Sequence, residues 1–286
     1  MANTATHPSI VGLSALPERA GNATFGGALR SEFTKIRSLR STYWTLAALI
    51  VISVGIGALF SFGHVQDLHS VQGTPQYPQA VASAKQNAVA DSLFGVLLGQ
   101  LVIVVLGALT ITSEFSTGMI RTSLATMPRR GMFFTAKAVV FAVIALIVGL
   151  VTSFASFFVG QAIMSSVHVN ATLGQPGVLR AVIGGGLFLA ACGLLSYGLG
   201  AVLRHTAAAI TASIGLLFVA YILSLFLPGT WAVDVDKWIP FNAGAAIWEN
   251  VSGRNMLAPW TGFAVFCGYA AVAIAAGMIL FRRRNA

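Results

Sequence analysis

Charge is what this chain has least of: 9% of its 286 residues are Asp, Glu, Lys or Arg, against 56% hydrophobic. A soluble domain carries about 25% charged residues, so too few polar groups are present to cover a water-facing surface. The mean hydropathy of +0.82 agrees, and the chain reads as an integral membrane protein. Acids are scarcer than bases, 8 against 17, giving a net charge of +9. That excess does not indicate nucleic-acid binding, because the bases flank apolar runs instead of lining one soluble face. Cysteine is limited to Cys192 and Cys267, both inside apolar runs without metal-ligand spacing, where each acts as a small hydrophobe.

Catalytic signatures are also missing. No Gly-x-x-x-x-Gly-Lys-Ser/Thr phosphate loop and no His-Glu-x-x-His occurs, so ATP hydrolysis and zinc proteolysis are not expected of this chain. Gly193-Leu-Leu-Ser196-Tyr-Gly198 departs from Gly-x-Ser-x-Gly, and no Asp accompanies His205 nearby, so a Ser196/His205 intramembrane enzyme is a weak rival. His64, Asp67 and His69 match no helical ligand pair and read as solvated loop residues. Ionisable groups are absent from the centres of the apolar runs, whereas ion-coupled transporters place them there. Uphill transport by this chain therefore needs an outside source of energy.

What is present is a regular alternation of apolar and polar stretches. Residues 1–27 form a polar tail with no leader-like apolar core, expected to be flexible and cytoplasmic. Residues 28–286 form an all-α membrane domain. Its six apolar segments, at about 43–63, 93–112, 133–160, 180–203, 206–227 and 259–281, each approach the ~20 residues of a spanning helix. The fourth and fifth are separated only by Arg204-His205, which requires a tight hairpin. Gly184, Gly185, Gly186, Gly193, Gly198 and Gly200 crowd the fourth, a pattern compatible with close helix packing or with hinging. Thirteen of the 17 Lys and Arg fall on the side holding both termini, which makes that side cytoplasmic.

Three polar stretches carry further pattern. Between residues 28 and 41, Leu29, Phe33 and Ile36 alternate with Arg30, Lys35, Arg37 and Arg40, predicting an amphipathic basic helix lying against membrane lipid. Residues 64–92, with Pro75 and Pro78, read as a solvated external loop. Residues 228–258 contain Trp231, Trp238 and Trp248, with Trp231-Val235-Trp238 and Phe241-Ala245-Trp248 at helical spacing. These predict short pieces at, or dipping into, the outer interface.

The interruption from Ser113 to Gly131 is the most distinctive. Ile120, Leu124 and Met127 fall at i, i+4 and i+7, predicting a short helix capped by Ser116 or Thr117 and limited by Pro128. Glu114 at the junction is placed to pair with a base or cap a backbone end, and Arg121, Arg129 and Arg130 to meet carboxylates or simply to set topology.

Leu29-Arg-Ser-Glu-Phe-Thr-Lys-Ile-Arg-Ser-Leu-Arg-Ser-Thr-Tyr-Trp44 and Thr112-Ser-Glu-Phe-Ser-Thr-Gly-Met-Ile-Arg-Thr-Ser-Leu-Ala-Thr-Met-Pro-Arg-Arg130 together resemble bacterial type 2 ABC exporter permeases. That resemblance implies a permease of the bacterial cytoplasmic membrane that pairs with a second permease subunit and docks on a separate ABC ATPase. ATP and Mg would be bound by that partner, with no cofactor in this chain and no nucleic acid involved. Residues 28–41 would be the connecting helix. Residues 116–128 would be the coupling helix, with Glu114, Thr117, Gly118, Met119, Ile120, Arg121, Leu124, Met127, Arg129 and Arg130 at or beside the ATPase contact. Residues 231–250 would be external, partly re-entrant helices. The alternative class is a membrane anchor or regulatory subunit that recruits cytoplasmic partners and moves nothing.

Overall fold

A computed structural model describes residues 24–38, 40–118, 130–224, 226, 234–249 and 256–283. Among them no strand occurs, and six helical stretches are long and apolar enough to cross a membrane. Met119, Ile120, Arg121, Leu124, Met127 and Arg129, expected at the ATPase contact, and the outer Trp231 lie outside the described residues.

The first described helices are α1 (Phe25–Ser38) and α2 (Arg40–Ser70). Helix α3 (Tyr77–Leu93) is followed almost without interruption by α4 (Gly95–Ser116), the two meeting at Phe94, whose ring stacks on Phe60 at 3.8 Å. Then come α5 (Arg130–Met164) and α6 (Val178–Leu203). A tight turn at Arg204, in the left-handed region with φ 57°, reverses the chain into α7 (Thr206–Ile214), so the expected hairpin is present. A π-helical turn (Gly215–Val219) carries α7 into α8 (Ala220–Ser224). The short α9 (Pro240–Ala245) and the long α10 (Pro259–Arg283) complete the order.

Residues 64–92 differ from the sequence expectation. They are mostly helical, forming the last turns of α2 and all of α3. Pro78 sits in the first turn of α3, where its missing N–H costs nothing, and alanines dominate the rest, so propensity favours a helix. With 31 and 35 residues, α2 and α5 are about 46 and 52 Å long, well beyond the ~30 Å of hydrocarbon. Their projecting ends and α3 enclose a small apolar cluster of Leu68, Ala84, Ala88, Met164 and Val169. Gln161 fastens it: its amide nitrogen donates to the Ala88 carbonyl and Ser92 Oγ at 2.9 and 2.8 Å, and its oxygen accepts from Ala171 N–H at 2.6 Å. His64 Nδ1 lies 2.9 Å from Asp91 Oδ2, so this histidine, with a third of its side chain exposed, also meets a carboxylate.

Helix α6 is the centre of the bundle, with 72% of its apolar stretch buried against 17–56% in the other spans. Its glycines admit a different neighbour at each level. A Cβ on Gly107 of α4 would overlap the Gly193 carbonyl, and one on Gly149 of α5 would lie 2.7 Å from the Gly186 oxygen. One on Gly198 would press on Ala273 of α10, and one on Gly184 on the Ile247 carbonyl beyond α9. Of the two readings open in the sequence, the structure gives close packing: without side chains, backbones gain dispersion contacts that lipid cannot supply. Ser196 is fully buried and donates to the Val104 carbonyl at 2.7 Å, while His205 Nδ1 accepts from Ala208 N–H at the start of α7. Both side chains are thus used to join or cap helices, and they do not form a nucleophile–base pair.

Candidate functional site

The end of the bundle that holds α1 and the C-terminus of α10 carries an ion cluster assembled from three helices. Glu32 comes from α1, Glu114 from the last turns of α4, and Lys137 from the second turn of α5. Lys137 Nζ is 2.5 Å from Glu32 Oε2 and 3.0 Å from Glu114 Oε1. Lys35, one turn beyond Glu32 on α1, reaches Glu32 Oε1 at 3.1 Å and Glu114 Oε1 at 3.3 Å. Glu32 is fully buried, and Lys137 and Glu114 retain only 4% and 5% exposure. Buried charges persist only when paired and hydrogen-bonded, and here two carboxylates face two ammonium groups.

The helix carrying Glu32 is laid on the bundle by its polar side. Ala28 and Glu32 are its buried residues, whereas Phe33 is 51% exposed on the other side. An apolar face left outside and a charged face turned in suit a helix resting between lipid and protein. Arg30, Arg37 and Arg40 are exposed, and Ile36 is partly covered.

Aromatic rings floor the cluster. Lys137 and Lys35 ammonium groups lie 5.3 and 5.5 Å from the Phe133 ring centre, within cation–π range. Phe133 in turn stacks on Phe281 near the end of α10, which meets Phe115 edge-on. Arg204, at the α6–α7 turn, lies 5.1 Å over Phe115 and donates to the Leu280 carbonyl at 3.4 Å. The ends of α4, α5, α6, α7 and α10 therefore meet at the same end of the bundle.

Burial pulls the Lys35 pKa down, but Glu32 and Glu114 more than offset it, holding the group above its ordinary 10.5. A raised folded-state value contributes stability that is complete below the unfolded value and lost only as pH rises through the folded one. The stability difference between the parent and Lys35→Met is therefore expected to stay constant from about pH 6 to 9 and to shrink only above about pH 10.5. Paired thermal melts across that range test this, and a difference that decays near neutrality would contradict it.

The structure brings Glu114 and Lys35 together from the expected site residues. Thr117 ends α4 with its hydroxyl donating to the Ser113 carbonyl at 2.7 Å, and Gly118 follows at φ 67°. Arg130 opens α5. On the opposite end, Trp248 is buried 6.3 Å from the Phe188 ring, while Trp238 is 47% exposed and its carbonyl accepts from Tyr269. Arg180 holds the turn after α9, donating to the carbonyls of Ala246 and Ile247.

Glu32 had no role in the sequence reading, and Lys137 counted there only as a base at a segment end on the cytoplasmic side. The signals existed: Glu32 is the lone acid in a basic stretch, and Lys137 the lone charge inside a long apolar run. A lone charge at that depth demands a partner, but only the fold says which.

The family model described as ABC-2 family transporter protein matches residues 28–227. The chain belongs to that family. The match begins within α1 and takes in the whole ion cluster and the interruption between α4 and α5, so these are parts of an ABC-2 membrane permease. Comparison with curated proteins finds no match.

Proposed function

We propose that the chain is the permease subunit of an ATP-driven exporter of the bacterial cytoplasmic membrane, with both termini in the cytoplasm. Two permease subunits form the translocation pathway, and each is gripped by a separate ABC ATPase that binds ATP and Mg. The missing phosphate loop assigns hydrolysis to the partner, and the excess of Lys and Arg at the α1 end sets the orientation.

The observation that carries this reading is the ion cluster. Helices α4 and α5 flank the interruption at 116–128, and Glu114 and Lys137, one from each, share Glu32 and Lys35 of α1. A push delivered to that interruption moves the ends of α4 and α5, and the salt bridges oblige α1 to follow as one rigid unit. Glu114, Thr117, Gly118 and Arg130 sit at the base of this unit. Met119, Ile120, Arg121, Leu124, Met127 and Arg129 supply the surface for the ATPase, the apolar ones by burial and the arginines by meeting carboxylates.

Ile120→Asp or Leu124→Asp should leave membrane insertion intact and abolish ATPase association or transport-linked hydrolysis. The measurement is co-purification from native membranes together with ATPase activity in reconstituted vesicles. Unchanged transport-linked activity in both variants would remove the coupling-helix assignment. ATP-dependent cargo movement in the same vesicles separates a permease from an anchor that only recruits.

A further inference from the structure

His64 and Asp91 lie at the end of the bundle opposite the ion cluster, just beyond the apolar segments at 43–63 and 93–112. His64 belongs to the last turns of α2 and Asp91 to the last turn of α3. The pair sits between two apolar ties that hold α3 on α2. One turn inward Phe60 stacks on Phe94, and one turn outward Leu68 packs with Ala84 and Ala88.

Asp91 retains 9% exposure, and its Oδ2 is buried and accepts no hydrogen bond. The His64 ring nitrogen is 2.9 Å away but not aligned to donate. Nearby donors are spent elsewhere, the Ser92 hydroxyl on the Ala88 and Val89 carbonyls and the Gln161 amide on Ala88 and Ser92. A buried carboxylate without hydrogen bonds is costly as an anion unless a positive charge or a proton offsets it. Two arrangements do so: an imidazolium facing the carboxylate, or a protonated Asp91 facing a neutral imidazole. Both hold one proton more than the bare pair, and they belong to one coupled titration. Among the described residues only the charge of His64 acts on Asp91. Asp67 and His69 on α2, Lys85 on α3 and His168 beyond α5 are exposed. Arg180 of α6 is engaged at the Ala246 and Ile247 carbonyls, and Glu114 of α4 and Lys137 of α5 lie at the far end.

We propose that His64 and Asp91 form a proton-binding site that latches α3 to α2, closed while the pair holds its shared proton and loosened when that proton leaves. Once α3 lifts away, water solvates both groups and the proton is held less tightly. The closed form therefore binds the extra proton, so the latch is tightest on the acid side and weakens as pH rises. Helix α3 runs into α4 through Phe94, and α4 carries Glu114 at its other end, so the latch sets how freely the near end of α4 moves. On the orientation proposed above, the pair reads the pH of the outer solution. The latch itself does not rest on that orientation.

The test is amide hydrogen exchange of the full chain in lipid nanodiscs from about pH 5 to 8, the range in which a histidine pair titrates. The amides of α6 serve as internal reference, cancelling the intrinsic pH dependence of exchange. Protection of α3 relative to α6 is expected to fall with rising pH, by up to about tenfold per pH unit where the pair titrates. Asp91→Asn, uncharged throughout, should keep α3 protected and abolish the slope. His64→Gln leaves Asp91 alone to take the proton and should move the slope to lower pH. His69→Gln and Lys85→Gln should behave as the parent, and equal α6 protection in every variant shows an intact bundle. A parent without a slope overturns the site, as does a slope that survives in Asp91→Asn. A slope unmoved in His64→Gln overturns the shared proton, and one lost in His69→Gln or Lys85→Gln overturns the assignment to this pair. None of these readings needs the ATPase, so they fail independently of the Ile120 and Leu124 variants.

Discussion

Lys137→Met is expected to destabilise the docking of α1 on the bundle by about 3–5 kcal/mol, the cost of leaving a buried charge without its partner. Lys137 has 4% exposure and bridges Glu32 and Glu114, so its removal takes a cationic partner from both carboxylates at once. Neither is at liberty to reach water, since Glu32 is fully buried and Glu114 nearly so. Thermal melts should show the loss, and limited proteolysis should show α1 cleaved early. The companion variant is Glu32→Gln combined with Lys137→Met. It removes one charge of each sign, leaves Lys35 paired with Glu114, and should recover most of the lost stability. A single variant that melts like the parent would show that the cluster does not hold α1. A double variant no better than the single would show that Lys137 acts through packing on Phe133 and not through its charge.

The same cycle bears on function. If α1 follows the ends of α4 and α5 only through these four side chains, the double variant can fold well and still couple poorly, because the remaining Lys35–Glu114 pair ties α1 to α4 but no longer to α5. Stability restored with transport still impaired is the signature of a mechanical tie. A purely structural cluster would recover both.

The spans were legible because twenty apolar residues in a row have few other uses. The Arg204 turn followed from the absence of any residues to spare between two such runs. What misled was composition without context: the polar stretch at 64–92 suggested a loop, yet its alanines form α3 once Leu68, Met164 and Val169 give Ala84 and Ala88 something to pack on. The α1 pattern was legible as amphipathic, but its sense was not. Sequence periodicity shows two faces and does not say that Glu32 goes inward while Phe33 stays outside. Glu114 was marked for pairing on its position alone. Its partners lie 79 and 23 residues away, and only the folded chain brings Lys35 and Lys137 to it.

Glycine gives the second large effect, and its sign depends on place. Gly107→Ala should cost about 1–3 kcal/mol or more, because the new Cβ would overlap the Gly193 carbonyl and neither backbone can yield without parting α4 from α6. Separating that pair disturbs more than one interface, since α6 also holds α5 at Gly149–Gly186 and α10 at Gly198. Gly55→Ala, on an exposed face of α2 with nothing within 4 Å of the new methyl, should instead be neutral or stabilise by up to about 1 kcal/mol through helix propensity. Melting temperatures of the two variants in one detergent decide the matter. Opposite signs identify the Gly107–Gly193 crossing of α4 and α6 as a close approach. Parallel shifts would mean that α4 and α6 do not depend on this close approach, and the packing role drawn from the Gly107–Gly193 contact would fall.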